Sequence, residues 1–201
     1  MVVPIIGAVE TGKNAMTRMT MRAGVAALAL IGLTPVLAVA AFANPMVGGA
    51  AMYPTKNIVE NAVNSSDHTT LVAAVKAADL VATLSGPGPF TVFAPTNEAF
   101  AKLPAGTVET LLKPENKAML ANILTYHVVA GTMTSKQIAA AIKAGGGSAT
   151  LTTVQGEPLI ATMKMGKLVL TDVKGGMSVV TIKDVMQSNG VIHVVDTVLM
   201  P

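Results

Sequence analysis

Residues 90–100 read FTVFAPTNEAF. Phe90, Val92 and Phe93 sit in a run of β-branched and aromatic residues, entered through Gly86-Pro87-Gly88-Pro89 and stopped by Pro95, which predicts a short, buried strand. Thr96 or Asn97 then serves as a helix cap, Glu98 falls in the first turn, and Phe100 is thrown back toward the strand. Outside the first 43 residues these are the only phenylalanines, and the chain has no tryptophan. The aromatic core is therefore expected here, as one cluster joining a strand to a helix start.

The chain has 201 residues, 51% apolar and 12% charged, which suits one or two packed globular domains. Its formal charge of +3 is inflated by Lys13, Arg18 and Arg22 near the start, and the remainder is close to neutral. Both arginines lie in that early segment, so the body lacks the forked guanidinium suited to phosphate and carboxylate recognition. Nucleic acid and acidic ligands are not expected as partners.

Residues 23–43, AGVAALALIGLTPVLAVAAFA, are uncharged, follow Arg18 and Arg22, and end in Ala41-Phe42-Ala43 before Asn44-Pro45. That is the layout of a secretory signal peptide with a small-residue cleavage site. A retained membrane helix is the alternative, but Pro35 interrupts the run. The expected organisation is a leader over 1–43, a lead-in over 44–54 and one domain over 55–201. The product is then secreted, periplasmic or at the cell surface, with no membrane contact after cleavage. Without cysteine there is no disulfide, lipid attachment or thiolate metal site.

Helical spacing begins at Ile58, Val59, Ala62 and Val63 and resumes at Leu71, Val72, Val75 and Ala78, so two helices are expected before the aromatic strand. Thr107 is placed to cap a short helix, and Pro114 to open the next, whose Ala118, Met119, Leu120, Ile123 and Leu124 face the core. Tyr126-His127-Val128-Val129 reads as a strand, Thr134 to Gln137 as a capping box, and Gly145 as the left-handed residue that ends a helix. From residue 148 onward the pattern is strand throughout, with Asn189-Gly190 as a tight turn whose central residues take positive φ. This order is α+β in a single domain.

Catalytic constellations are missing from the pattern. His68, His127 and His193 have no second ligand at metal spacing, no serine sits in a nucleophile-elbow motif, and the triple glycine lacks the lysine of a phosphate loop. Asp172, Asp184 and Asp196 fall at expected strand ends or turns, where solvated carboxylates are the default. No enzyme, cofactor or metal is expected. The methionines beyond the leader are assigned to filling core gaps.

Three segments in this order, FTVFAPTNEAF at 90–100, Tyr126-His127, and NGVIHVVDTVLMP at 189–201, resemble the fasciclin-domain family of secreted and cell-surface adhesion modules. The resemblance implies a single fasciclin domain, a two-sheet β-sandwich-like wedge with helices packed on one side. It further implies a non-enzymatic role in adhesion or interaction, with a protein, cell-surface or matrix component as partner. An exported binder of an apolar small molecule is the alternative. The family's Tyr-His pair corresponds to Tyr126 and His127, and its Asp-Ile adhesive motif to Asp184 and Val185. These four residues are the candidate partner-binding positions, with Asp184 expected as an exposed carboxylate at a strand end.

Overall fold

A computed structural model describes residues 44–201, and the leader expected over 1–43 lies outside the described residues. The lead-in is a small hairpin of β1 (Met46–Val47) and β2 (Ala50–Ala51). Val47 and Met52 are buried in the main core, so this segment is packed into the fold.

Three helices precede the aromatic strand where two were expected: α1 (Ile58–Ala62), α2 (Thr69–Ala77) and α3 (Val81–Ser85). Asp79, in the left-handed region at φ 61°, turns the chain between α2 and α3, a break that helical spacing alone does not reveal. The strand β3 (Phe90–Pro95) leads into α4 (Asn97–Ala101), where the Thr96 hydroxyl accepts from the Ala99 amide at 3.2 Å. The short α5 (Thr107–Leu111) is capped by Gly106 at φ 80°, and Thr107 is its first residue instead of its cap.

Pro114 opens a 3₁₀ turn before α6 (Lys117–Tyr126), which β4 (Val128–Ala130) follows. Tyr126 therefore ends a helix, with His127 as its C-cap, instead of starting a strand. The capping box holds at α7 (Ser135–Ala144), where the Thr134 hydroxyl and the Gln137 side chain satisfy each other's backbone amides. Gly146, at φ 70°, is the left-handed glycine beyond it, while Gly145 has an ordinary φ of −84°.

Five strands complete the chain: β5 (Ser148–Thr152), β6 (Pro158–Lys164), β7 (Lys167–Thr171), β8 (Met177–Gln187) and β9 (Gly190–Val195). The strand order is β4-β3-β9-β8-β7-β6-β5, antiparallel except for β3 and β9. The eleven-residue β8 pairs with β7 through its first part and with β9 along its length, so it joins two sheets into the expected wedge. At the far edges Val129 bridges Thr153, and the Val154 amide donates to the Val128 carbonyl at 2.7 Å. The seven strands thus nearly close. Residues of α1 to α6 cover one face, and α7 lies against β5 and β6.

Strand alternation divides the interior into two cores. Val92 and Ala94 of β3 and Ile192 and Val194 of β9 face the helices, where Phe90 and Phe100 also pack. Phe93 and Val195 point the other way, into the wedge, against Tyr126, Leu159, Leu170 and the α7 residues Ile138 and Ile142. The phenylalanines are therefore split between two cores and do not form one cluster, because residues an odd number apart on a strand face opposite sides.

Asn189 and Gly190 depart from the expected turn. The loop is Ser188-Asn189, and Gly190 opens β9 where an added Cβ would lie 2.0 Å from the Phe90 carbonyl oxygen. Its lack of a side chain serves close strand approach. Phe93 is fully buried and stacks on His193 with ring centroids 5.6 Å apart. Phe93→Ala is expected to cost about 3 to 5 kcal/mol through lost contacts and a cavity, read from urea unfolding midpoints. An unchanged midpoint would contradict this placement of the ring.

Candidate interaction site

Tyr126 and His127 are held at the junction of α6 and β4. The Tyr126 hydroxyl donates to the Pro158 carbonyl at 3.0 Å and accepts from the Val173 amide at 3.3 Å, and burial raises its pKa. His127 Nδ1 lies 2.8 Å from the Ile123 carbonyl, which only accepts, so Nδ1 carries the proton. Its Nε2 then accepts from the Leu199 amide at 3.0 Å. Burial lowers the His127 pKa to about 4, which keeps the ring neutral in this tautomer near neutral pH. Both side chains are buried, so the structure presents neither to solvent.

Asp172 was expected to be solvated, and it is buried. One of its oxygens accepts from the Lys174 and Gly176 amides at 3.0 and 2.7 Å, and the other from the Met200 amide at 3.0 Å. Asp196 likewise accepts from the Val179 amide at 2.8 Å. With His127 on Leu199, these carboxylates anchor the end of the chain.

Asp184 lies within β8, at a bulge with φ 59°, not at a strand end. One carboxylate oxygen accepts from the Ser135 amide at 2.6 Å and the other from the Ser135 hydroxyl, so the group caps α7 from across the wedge. The Asp184 amide in turn donates to His193 Nδ1 at 3.3 Å, and His193 Nε2 donates to the Met133 carbonyl at 2.9 Å. Val185 is fully buried in the helical core. With both oxygens committed to Ser135, removing this carboxylate would leave the Ser135 amide and hydroxyl without their acceptor, while the Thr134 cap remains, and cost about 1 to 2 kcal/mol. Among the described residues no hydrogen bond joins Asp184 or Val185 to Tyr126 or His127.

Beside this bulge the structure opens a surface groove that sequence reading missed. The β7–β8 ladder stops at Val169↔Val179, and the two strands diverge beyond it. Gly166, Lys167 and Leu168 line one wall, Val179, Val180, Thr181 and Lys183 the other, and Ser135, Lys136 and Ala139 of α7 a third, around a volume of about 460 Å³. Lys136, Lys167 and Lys183 are exposed, and the ion pairs of the described residues, Lys102–Asp196 and Lys117–Asp79, involve none of them. These lysines come from separate elements, so no local motif marks them. Met163 also lines the groove. Six methionines, Met46, Met119, Met163, Met165, Met177 and Met186, are exposed, contrary to the core-filling expectation.

The geometry described here is that of a known fold. A profile of the fasciclin domain matches residues 66–201, and the chain belongs to that family. It is 51% identical over 156 residues to protein sll1483 of Synechocystis sp., covering 78% of this chain and 79% of that protein. Immunogenic protein MPB70 of Mycobacterium bovis is 35% identical, with 89% of this chain and 92% of that protein covered. Transforming growth factor-beta-induced protein ig-h3 of Sus scrofa is 36% identical over 74% of this chain, which spans only 20% of the longer protein. A FAS1 domain pair from the insect cell adhesion molecule Fasciclin I shares the fold with a TM-score of 0.64 at 19% identity. The alignment covers 73% of this chain and 51% of that pair.

His127 makes stability depend on pH. Its folded pKa of about 4 lies below the ordinary 6.5, so the unfolded chain binds more protons between those values. The stabilisation is complete above pH 6.5 and falls with the pH, by about 3 kcal/mol once the folded pKa is passed. Burial also lowers the pKa of His68 and His193, which adds in the same direction. Unfolding midpoints should therefore decline from pH 6.5 to 4, and His127→Gln should be less stable at pH 7 but decline less steeply. An equal slope in the variant would remove His127 from this account.

Proposed function

We propose that the protein is exported with loss of residues 1–43 and acts, without catalysis, as an adhesion or interaction module that contacts a protein or matrix component at a cell surface. The observation that carries this reading is the division of labour between inside and outside. His127, His193, Asp172 and Asp184, which could serve chemistry, are spent on internal hydrogen bonds, while flexible methionines and unpaired lysines are presented to solvent. Thioether side chains suit surfaces that adapt to a partner. The adhesion role of the insect molecule of the same fold is consistent with this reading. Tyr126, His127 and Val185 then support the contact face, and Asp184 fixes the start of α7 beside it.

Binding of an apolar small molecule has less support. The apolar cavity lined by Val59, Leu71, Val75, Leu84, Leu124 and His127 holds about 40 Å³, far below the roughly 300 Å³ of ordinary ligand pockets.

Recovery of the native protein decides the reading. Mass spectrometry should find it outside the cytoplasm with Asn44 at its N-terminus, and the purified protein on beads should attach saturably to the surface of its source cells or their matrix, with soluble protein competing. A product that retains residues 23–43 in the membrane fraction would overturn export with cleavage. Attachment no greater than that of albumin-coated beads would overturn the adhesive role.

A further inference from the structure

The groove between β7 and β8 has features beyond simple exposure. Lys167 and Leu168 pair with Lys164 and Met163 of β6 on one side, but the ladder to β8 has already ended at Val169↔Val179. Across the gap, Ile182 of β8 pairs with Val194 of β9 on its far side, and among the described residues the edge facing the groove has no strand partner. Two strand edges thus face one cleft. Such edges are templates for an added strand.

Side chains define what would fit there. Leu168 and Val180 are buried at the base, Met163 and Ala139 add apolar surface, and Lys136, Lys167 and Lys183 stand at the rim. Among the described residues no acidic side chain lines the cleft. Asp184 is the nearest carboxylate in sequence, and Ser135 occupies both of its oxygens. Lys164, the next lysine along β6, turns to the Met177 sulfur at 3.1 Å. The body of the chain is nearly neutral, so three unpaired ammonium groups around one cleft are a local concentration of charge. Lysine serves here as a point charge, which does not need the guanidinium fork whose absence argues against bidentate acidic ligands.

We propose that this cleft receives an extended acidic segment of a partner protein, which pairs with the free edges of β7 and β8 while its carboxylates meet Lys136, Lys167 and Lys183. Alternate residues of a strand face opposite ways, so acidic residues alternating with apolar ones would set charges at the rim and apolar groups on Leu168 and Val180. The apolar base favours a peptide over an anionic polysaccharide, which has no side chains to bury there. This inference rests on the interaction-module reading and names the partner's chemistry.

The test uses the purified protein and a fluorescent peptide of about eight alternating glutamate and valine residues. Anisotropy should show saturable binding that weakens strongly at about 1 M salt, where the screening length falls to about 3 Å. Lys167→Glu with Lys183→Glu should weaken binding at least about tenfold, with an unchanged melting curve, and Lys136→Gln should weaken it less. A proline at the peptide's centre should also weaken binding, because it cannot donate to a ladder. No binding of the glutamate–valine peptide, or binding unaffected by the lysine changes, would overturn the proposal. Insensitivity to proline would overturn the strand pairing, and stronger binding of heparin through the same lysines would replace the peptide with a polysaccharide. Association of the protein with itself that the double variant abolishes would make the occupant a second copy and overturn an acidic partner. The same variant in the bead assay separates the two readings: attachment that survives it refutes the cleft alone, whereas wild-type beads that never attach refute the adhesive role.

Discussion

The parallel pairing of β3 with β9 is the constraint on which the rest of the structure depends. Six residues, Phe90–Pro95, run beside Gly190–Val195, and every residue of β9 is buried. A parallel pair needs a crossover, and here nearly a hundred residues of helices and outer strands supply it. Both strands face a core on each side, as parallel strands usually do. Their start is fixed by a tight fit: the Phe90 amide donates to the Asn189 carbonyl at 3.0 Å, and Cβ atoms at Gly88 or Gly190 would collide with the facing backbone. The buried Asn189 side chain completes the lock, donating to the Leu84 and Gly86 carbonyls and accepting from the Ile58 amide at 2.8, 2.9 and 3.1 Å.

Buried polar groups extend this lock to the other elements. His193 sits on β9, stacks on Phe93 of β3 and bonds both the β8 bulge and the segment before α7. Asp184 carries that link to the first residue of α7. On the opposite side His127 and Asp172 hold the amides of Leu199 and Met200. In a low-dielectric interior each such group is costly unless paired, so the pairs favour one arrangement of the elements over others. At the surface, Lys136, Lys167 and Lys183 and six exposed methionines take no part in this internal bonding.

Much of the fold was legible from local signals, because turn chemistry and caps act over a few residues. Thr96, Thr134 and Gln137 cap as their spacing implies, and the alternating runs after residue 148 are strands. Tyr126 was misread because the β-branched run after it extends the strand pattern backward, whereas the α6 hydrogen bonds decide the boundary. Local pattern could not say that Phe93 and Phe100 belong to different cores, because that depends on which way each element's face is turned. Asp172 and Asp184 depart from the expected solvated carboxylates for a related reason: their partners Met200 and Ser135 are distant in sequence. The lysine cleft exists only because β7 and β8 part, a tertiary event with no sequence signature. The export segment has a local compositional signature, and so its reading rests on sequence alone.

Native-state hydrogen exchange tests the central claim most directly. If the β3–β9 pair holds the fold together, the amides of Thr91–Ala94 and Val191–Val194 exchange only through global unfolding, with a free energy equal to that from urea denaturation. Amides of the β6–β7 hairpin, which lies toward the outer edge of the sheet, then exchange through smaller openings. Exchange of β3 or β9 through openings smaller than those of the hairpin would contradict the account.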